Sequence, residues 1–295
     1  MKIAIYDDYQ LGLVSGDRLL PFTSLLPRAL DLLPRQRLNW LVAHWDTHAA
    51  DVEKHARGAE PVPLASVRLL PASPAPSAIF AAPANYRRHI GELGDRAVTN
   101  TRRTAREQGV FLKAPGSLVG AGQAILLPRG SARRFDHESE LAVIIGRACR
   151  DVPRERAMEH VFGYSCLIDL TMRIEPGVAE EERSMRKSFE TFTPLGPYLV
   201  TADEVPSPSG LSNRLWVNGE LRQSADTADM IVDVAELVEL ASSLLALQPG
   251  DVIATGTPEG VGPVAPGDEV RIEIASVGSM TLPVREHAQV SPRAY

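Results

Sequence analysis

The chain has 295 residues, 44% of them hydrophobic and 23% charged, a composition of globular proteins long enough for more than one structural unit. A formal net charge of −6 gives no basic field to draw nucleic acid or an anionic membrane surface, so an anionic small-molecule substrate has to be captured by local charge. Cys149 and Cys166 are too few for a disulfide scaffold, and neither the acidic start MKIAIYDDYQ nor any later run is apolar enough for a leader or a membrane span. A soluble, cytoplasmic protein is expected.

Taken in chain order, Lys2 to Tyr6 and Leu11 to Val14 read as short strands, with Ser15-Gly16-Asp17 as a turn before Arg18-Leu19-Leu20. Leu41, Val42, Trp45, Val52 and their neighbours recur at helical spacing and predict one amphipathic helix from Asn39 to about Arg57. Prolines at 61, 63, 71, 74 and 76 forbid a continuous helix there and suggest an extended crossing. A boundary near Ser66 follows, with a small N-terminal α/β domain over 1–66 and a larger domain over 67–295. Tyr86 to Gln108 is polar, arginine-rich and interrupted at Gly91 and Gly94, the pattern of a mobile helix-loop-helix lid rather than of core.

Beyond Phe111, strand-length apolar runs follow one another: Ala124 to Leu127, Ser139 to Ile145, Tyr164 to Ile168, Tyr198 to Thr201, Leu215 to Val217, Val252 to Thr255 and Glu269 to Ile274. Helical spacing returns at Pro153 to Val161 and at Ile231 to Leu247. The fold class is a strand-dominated α+β architecture.

The most informative segment is Phe135-Asp136-His137-Glu138-Ser139-Glu140-Leu141-Ala142-Val143-Ile144. On a strand, Glu138 and Glu140 share a face with Ala142 and Ile144, while His137, Ser139 and Leu141 take the other. Two like charges aimed at one place repel unless a cation lies between them, and a hard divalent ion with oxygen ligands is the usual remedy. Two solvated glutamates at a wet strand end are the alternative. A second run, Gly163 to Ile168, ends on Asp169, an acid that is costly beside a buried strand unless paired or ligating, or that simply caps a turn.

Together, His137-Glu138-x-Glu140-Leu141, Gly163-Tyr164 leading to Asp169 and Arg173, and Lys187-Ser188-Phe189-Glu190-Thr191-Phe192-Thr193-Pro194-Leu195-Gly196-Pro197 resemble the fumarylacetoacetate hydrolase family. Trp216-Val217-Asn218-Gly219-Glu220 and Gly250 to Gly262, with its Gly256-Thr257-Pro258 core, are similar to that family's hairpin and signature loop. The resemblance runs in order from about Ile79 to Ile274. It implies mixed sheets rolled into a sandwich or barrel with flanking helices, and a homodimer.

It further implies Mg²⁺ (or Mn²⁺) bound by Glu138, Glu140 and Asp169, acting as a Lewis acid on a 2-oxo acid or β-diketone and stabilising the enolate formed on bond cleavage. Lys187 matches the family's active-site lysine; on spacing alone it would read as solvated, within the basic run Arg183 to Lys187. Asn85-Tyr86-Arg87-Arg88-His89-Ile90-Gly91-Glu92 is similar to the family's Asn-Tyr-x-x-His segment, so His89 and Glu92 are the expected water-activating pair and Tyr86 a substrate contact. Thr257 and Arg173 are candidates for binding the substrate carboxylate, with a local turn or an ion pair as their alternatives. Lys113, in Phe111 to Ser117, is either structural or pocket-facing.

The chain departs from the family pattern at Ile168 and Ile174, where Asn and Asp are common, and at Ala82-Pro83-Ala84, where a glycine-containing turn is usual. The implied activity is hydrolysis of a C–C bond in an acylpyruvate or related β-diketo acid. A lyase or isomerase acting on a 2-oxo acid is the first alternative, and a catalytically silent binding protein the second.

Overall fold

The computed structural model describes residues 1–93, 104–174 and 181–290, apart from the side chains of residues 92 and 93. Its centre is an 11-stranded sheet that runs Val62–Pro63, Arg18–Pro21, Gln10–Ser15, Lys2–Tyr6, Thr193–Thr201, Val161–Ile168, Ser139–Ile145, Val252–Ala254, Ile79–Ala81 and Phe111–Lys113, with Leu118–Val119 attached to Thr193–Thr201. A five-stranded sheet packs against it in the order Glu220–Asp226, Ser212–Val217, Glu269–Ile274, Gly278–Val290 and Ile125–Arg129. Three short strands, Thr171–Met172, Phe135–His137 and Gly262–Val264, form a third sheet at the end where the acidic residues collect. The architecture is therefore a strand-rich sandwich of mixed sheets with flanking helices, without a closed barrel among the described residues.

The large sheet is buried on both faces because its central strands are mostly apolar. Leu141, Val143 and Ile145 pack with Leu215, Val270, Ile272 and Leu282 of the five-stranded sheet and with Leu237, Val238 and Ala241 of the helix Val234–Leu244. Ala142 and Ile144 belong to the opposite core, with Leu167, Leu199 and Val252, and are covered by Phe22, Leu38, Leu41 and Val52 from the N-terminal part. The N-terminal hairpin continues the same sheet, with Ile3 beside Leu199.

Two expectations change. The single helix from Asn39 to Arg57 is two helices, Arg37–Ala43 and Trp45–Gly58, interrupted at His44, whose φ of −115° leaves the helical range. The His44 imidazole lies 2.8 Å from the Trp40 carbonyl oxygen and stacks on the Trp40 ring, a local interaction that competes with the helical ladder. The lid segment is also less solvated than its polarity suggests: Tyr86, His89 and Ala105 are buried. Residues 94–103 of that segment lie outside the described residues.

Candidate metal centre and active site

Strand register assembles the acidic cluster. Glu140 stands opposite Leu167 and Ser139 opposite Ile168 in the antiparallel pair, and the Asp169 N–H donates to the Glu138 carbonyl at 2.8 Å. Asp169 is thus the cross-strand neighbour of Glu138, with Glu140 two residues further along the same strand face. One carboxylate oxygen from each of Glu138, Glu140 and Asp169 lies within 4.8 Å of the others, and all three residues are buried. The alternation expected from the sequence is visible on the opposite face, where the Ser139 hydroxyl donates to Asn213 at 2.5 Å and His137 meets Gln223 at 3.1 Å.

Cations are distributed unevenly over this cluster. Lys187, at the end of the helix Arg183–Arg186, is buried rather than solvated. Its ammonium donates to Glu138 at 2.7 Å, to Asp169 at 2.5 Å and to the Thr171 hydroxyl at 2.7 Å, which uses all its protons. Lys113 is fully buried; it donates to the other Asp169 oxygen, to the Lys187 carbonyl at 2.5 Å and to the Phe192 carbonyl at 3.2 Å. Arg173 donates at 2.7 Å to both Asp136 and Glu138, so its acid partners are these two. Among the described residues Glu140 has no cationic side chain as partner, and it accepts the Gly256 N–H at 2.7 Å.

The titration of these groups follows from that arrangement. Burial alone would raise Glu138, but Lys187 and Arg173 beside it, with His89 nearby, hold its carboxyl well below the usual carboxylate range. Burial drives Glu140 the other way, and the charges of Asp169 and Glu138 add to it, so its carboxyl titrates well above the ordinary value. Burial opposes the charge on Lys187, yet Asp169 and Glu138 outweigh it and raise the ammonium. For Lys113 burial wins over Asp169, and its ammonium is lowered.

An excess of buried negative charge centred on Glu140 is what a divalent cation relieves, and three carboxylates with oxygen donors suit Mg²⁺ or Mn²⁺. The residues present therefore fit such an ion.

The other candidates surround this centre. His89 is buried on the helix Arg87–Leu93, within electrostatic range of Glu138. The Glu92 side chain lies outside the described residues. Tyr86 is buried, and among the described residues its hydroxyl has no hydrogen-bond partner; burial first, then the charge of Glu140, keep the phenol protonated far above its ordinary range. Thr257, also buried, follows Gly256 directly, and its hydroxyl accepts from the Gln223 amide at 2.9 Å. Asp136, Thr171, the Gly256 N–H and Gln223 were not singled out as site residues by sequence reasoning. Asp136 stands two residues before Glu138 and was open to the same alternation argument, whereas Gln223 gives no signal of its own in a polar hairpin strand.

Residues 78–285 match the family model described as fumarylacetoacetate (FAA) hydrolase C-terminal. The maleylpyruvate hydrolase of Aquipseudomonas alcaligenes is 46% identical over 295 residues, spanning 97% of this chain and 99% of that protein. The crystal structure of a maleylpyruvate hydrolase from Sphingobium sp. SYK-6 is similar with a TM-score of 0.85 and 39% identity, over 97% of this chain and 100% of that one. Its complex with manganese(II) ion and pyruvate gives 0.84 and 39%, over 97% and 99%. A 5-carboxymethyl-2-hydroxymuconate delta-isomerase from Mycobacterium smegmatis is 37% identical with a TM-score of 0.66, over 78% of this chain and 84% of that one. The matched segment holds the whole acidic cluster, and the likeness to one full-length relative extends through the N-terminal part, so the chain belongs to the fumarylacetoacetate hydrolase family.

Proposed function

We propose that this protein is a divalent-metal-dependent hydrolase that cleaves the C–C bond of an acylpyruvate, maleylpyruvate or a close analogue, into pyruvate and a carboxylic acid. The observation that carries this reading is the buried trio Glu138, Glu140 and Asp169, in which Glu140 has no cationic side-chain partner among the described residues. It is supported by the manganese and pyruvate bound together by a relative 39% identical to this chain.

Glu138, Glu140 and Asp169 would hold Mg²⁺ or Mn²⁺, which supplies Lewis acidity to the oxygens of the 2-oxo acid. Lys187 and Arg173 fix the orientation of Glu138, and Lys113 and Lys187 that of Asp169, so the oxygens aimed at the centre are preorganised. His89, with Glu92, takes a proton from water, whose oxygen adds to the acyl carbonyl carbon. The C–C bond then breaks with its electron pair passing to the methyl carbon of the departing pyruvate, which takes up a proton. Thr257, the Tyr86 hydroxyl and the part of the Arg173 guanidinium not engaged by acids bind the substrate's oxygens. Because Tyr86 stays protonated, it acts as a hydrogen-bond donor there.

A second reading, isomerisation of the same class of substrate without water attack, is favoured by the likeness to a delta-isomerase. Incubation with an acylpyruvate and Mg²⁺ distinguishes them: two acids in equal amounts are expected, and a spectral shift without cleavage would support the isomerase instead. A cytoplasmic homodimer belongs to the same proposal. Its support is the family and two exposed apolar residues, Leu112 on the edge strand Phe111–Lys113 and Met185 on the helix Arg183–Arg186 that contacts this strand. A monomer at micromolar concentration in sedimentation would contradict the dimer, and fractionation of the native cells finding it outside the cytoplasm would contradict the location.

A further inference from the structure

Gln223 lies on Glu220–Asp226, the outer strand of the five-stranded sheet, yet its side chain is fully buried. Its amide reaches two elements of the candidate site at once. The carbonyl oxygen accepts the Ser139 N–H at 2.9 Å and faces His137 Nδ1 at 3.1 Å. The amide nitrogen donates to the Thr257 hydroxyl at 2.9 Å, to the Pro258 carbonyl at 2.9 Å and to the Glu259 carbonyl at 3.4 Å.

These backbone partners leave no freedom in the orientation of the amide. A peptide N–H only donates and a peptide carbonyl only accepts, so the oxygen must face Ser139 and the nitrogen must face Pro258. Two consequences follow. His137 Nδ1 carries its proton and donates to Gln223, while its buried Nε2 has no partner among the described residues. The Thr257 oxygen accepts from Gln223, so its single proton has to point elsewhere. The residue before Thr257 donates its N–H to Glu140, so the loop that carries Thr257 is anchored at the acidic cluster.

We infer that Gln223 is a positioning residue: its amide turns the Thr257 hydroxyl into a fixed donor toward the carboxylate of the bound 2-oxo acid. This rests on the proposed function, in which Thr257 contacts substrate. Gln223 touches neither the substrate nor the cation; it acts through Thr257, and it ties the loop that carries Thr257 to the strand that carries Glu138 and Glu140. A merely structural glutamine would lower stability without singling out substrate affinity.

The substitution Gln223→Glu keeps an oxygen for the Ser139 N–H but replaces the donor by an acceptor, which captures the Thr257 proton and turns it away from the substrate. Gln223→Met removes the amide at similar volume and serves where the charged variant fails to fold. Thr257→Val and Thr257→Ser test the hydroxyl in the unaltered frame. The measurements are calorimetric titration with Mn²⁺ and then titration of the Mn²⁺-loaded protein with oxalate. Mn²⁺ affinity is expected to change less than threefold in the Gln223 variants, and oxalate affinity to fall tenfold or more in both these and Thr257→Val. Thr257→Ser should keep it. Combining Gln223→Glu with Thr257→Val should weaken oxalate no further than either alone.

Multiplying losses in the double variant, or unchanged oxalate affinity in a folded Gln223 variant, would overturn the positioning role and leave the proposed function standing. Unchanged oxalate affinity in Thr257→Val would overturn it without any Gln223 variant. Failure of the unaltered Mn²⁺-loaded protein to bind oxalate would overturn both.

Discussion

At the scale of single residues, charge pairing divides the three carboxylates into different kinds. Glu138 and Asp169 are held by lysines and arginine, whereas Glu140 has a backbone N–H and a raised pKa. Glu140 therefore binds its proton more tightly in the folded protein than in the unfolded chain. In the chelated protein its contribution to stability is fullest below the ordinary carboxylate range and is lost as pH rises through the raised value. Glu140→Gln should flatten that fall in melting temperature with pH, and it should abolish Mn²⁺ binding in the same protein. A melting curve with the same pH dependence in the variant would show that Glu140 is not the stressed group. Lys113 is a contrasting case, since truncation strips a buried charge from Asp169 and leaves the Lys187 carbonyl without its donor, while the Phe192 carbonyl keeps only the Leu170 N–H. Lys113→Met should cost about 3–5 kcal/mol in urea unfolding; a loss under 1 kcal/mol would contradict the pairing.

The residue scale is also where the sequence is least explicit. Alternation alone indicates that Glu138 and Glu140 share a face, because the period of a strand is fixed by its geometry. That Asp169 joins them depends on the register between two strands, and periodicity carries no information about register; family resemblance supplied it. Whether Lys187 is solvated or buried likewise depends on tertiary packing. Lys113 is the extreme case, a charged residue whose full burial is invisible in Phe111-Leu112-Lys113 taken alone.

At the scale of elements, the apolar strands stand out because continuous runs such as Leu141 to Ile145 and Tyr164 to Ile168 suit a sheet covered on both sides, although the second strand begins at Val161, which helical spacing places in a helix. The strand Gly278–Val290 is less legible, since Met280, Leu282 and Val284 alternate with polar residues around Pro283, and its length comes from pairing first with Glu269–Ile274 and then with Ile125–Arg129. The approach to the lid departs from both family and propensity: Ala84 adopts a φ of +47°, a conformation that suits glycine. Ala84→Gly should stabilise the protein by about 0.5–1 kcal/mol in denaturant unfolding, the relief of left-handed strain less the entropy of an added glycine. Destabilisation would mean that the alanine methyl makes contacts worth more than the strain.

At the scale of the whole molecule, the sandwich brings two sheets to one end, with the large sheet delivering the carboxylates and the five-stranded sheet delivering Gln223 and Asn213 behind them. Further along the strand, the N-terminal helices cover the face from which Glu140 projects, over Ala142 and Ile144. Composition and patterning indicate the class of fold and a net negative charge, but the assembly of two sheets around one buried acidic cluster comes from long-range contacts. The central claim is that this cluster serves C–C hydrolysis by water, and turnover of an acylpyruvate in ¹⁸O-labelled water tests it most directly. With Mg²⁺ present, one solvent oxygen should appear in the carboxylic acid released alongside an equal amount of pyruvate, and chelation or Glu140→Gln should stop the reaction. Products without solvent oxygen in that acid, or cleavage that persists unchanged under chelation, would contradict it.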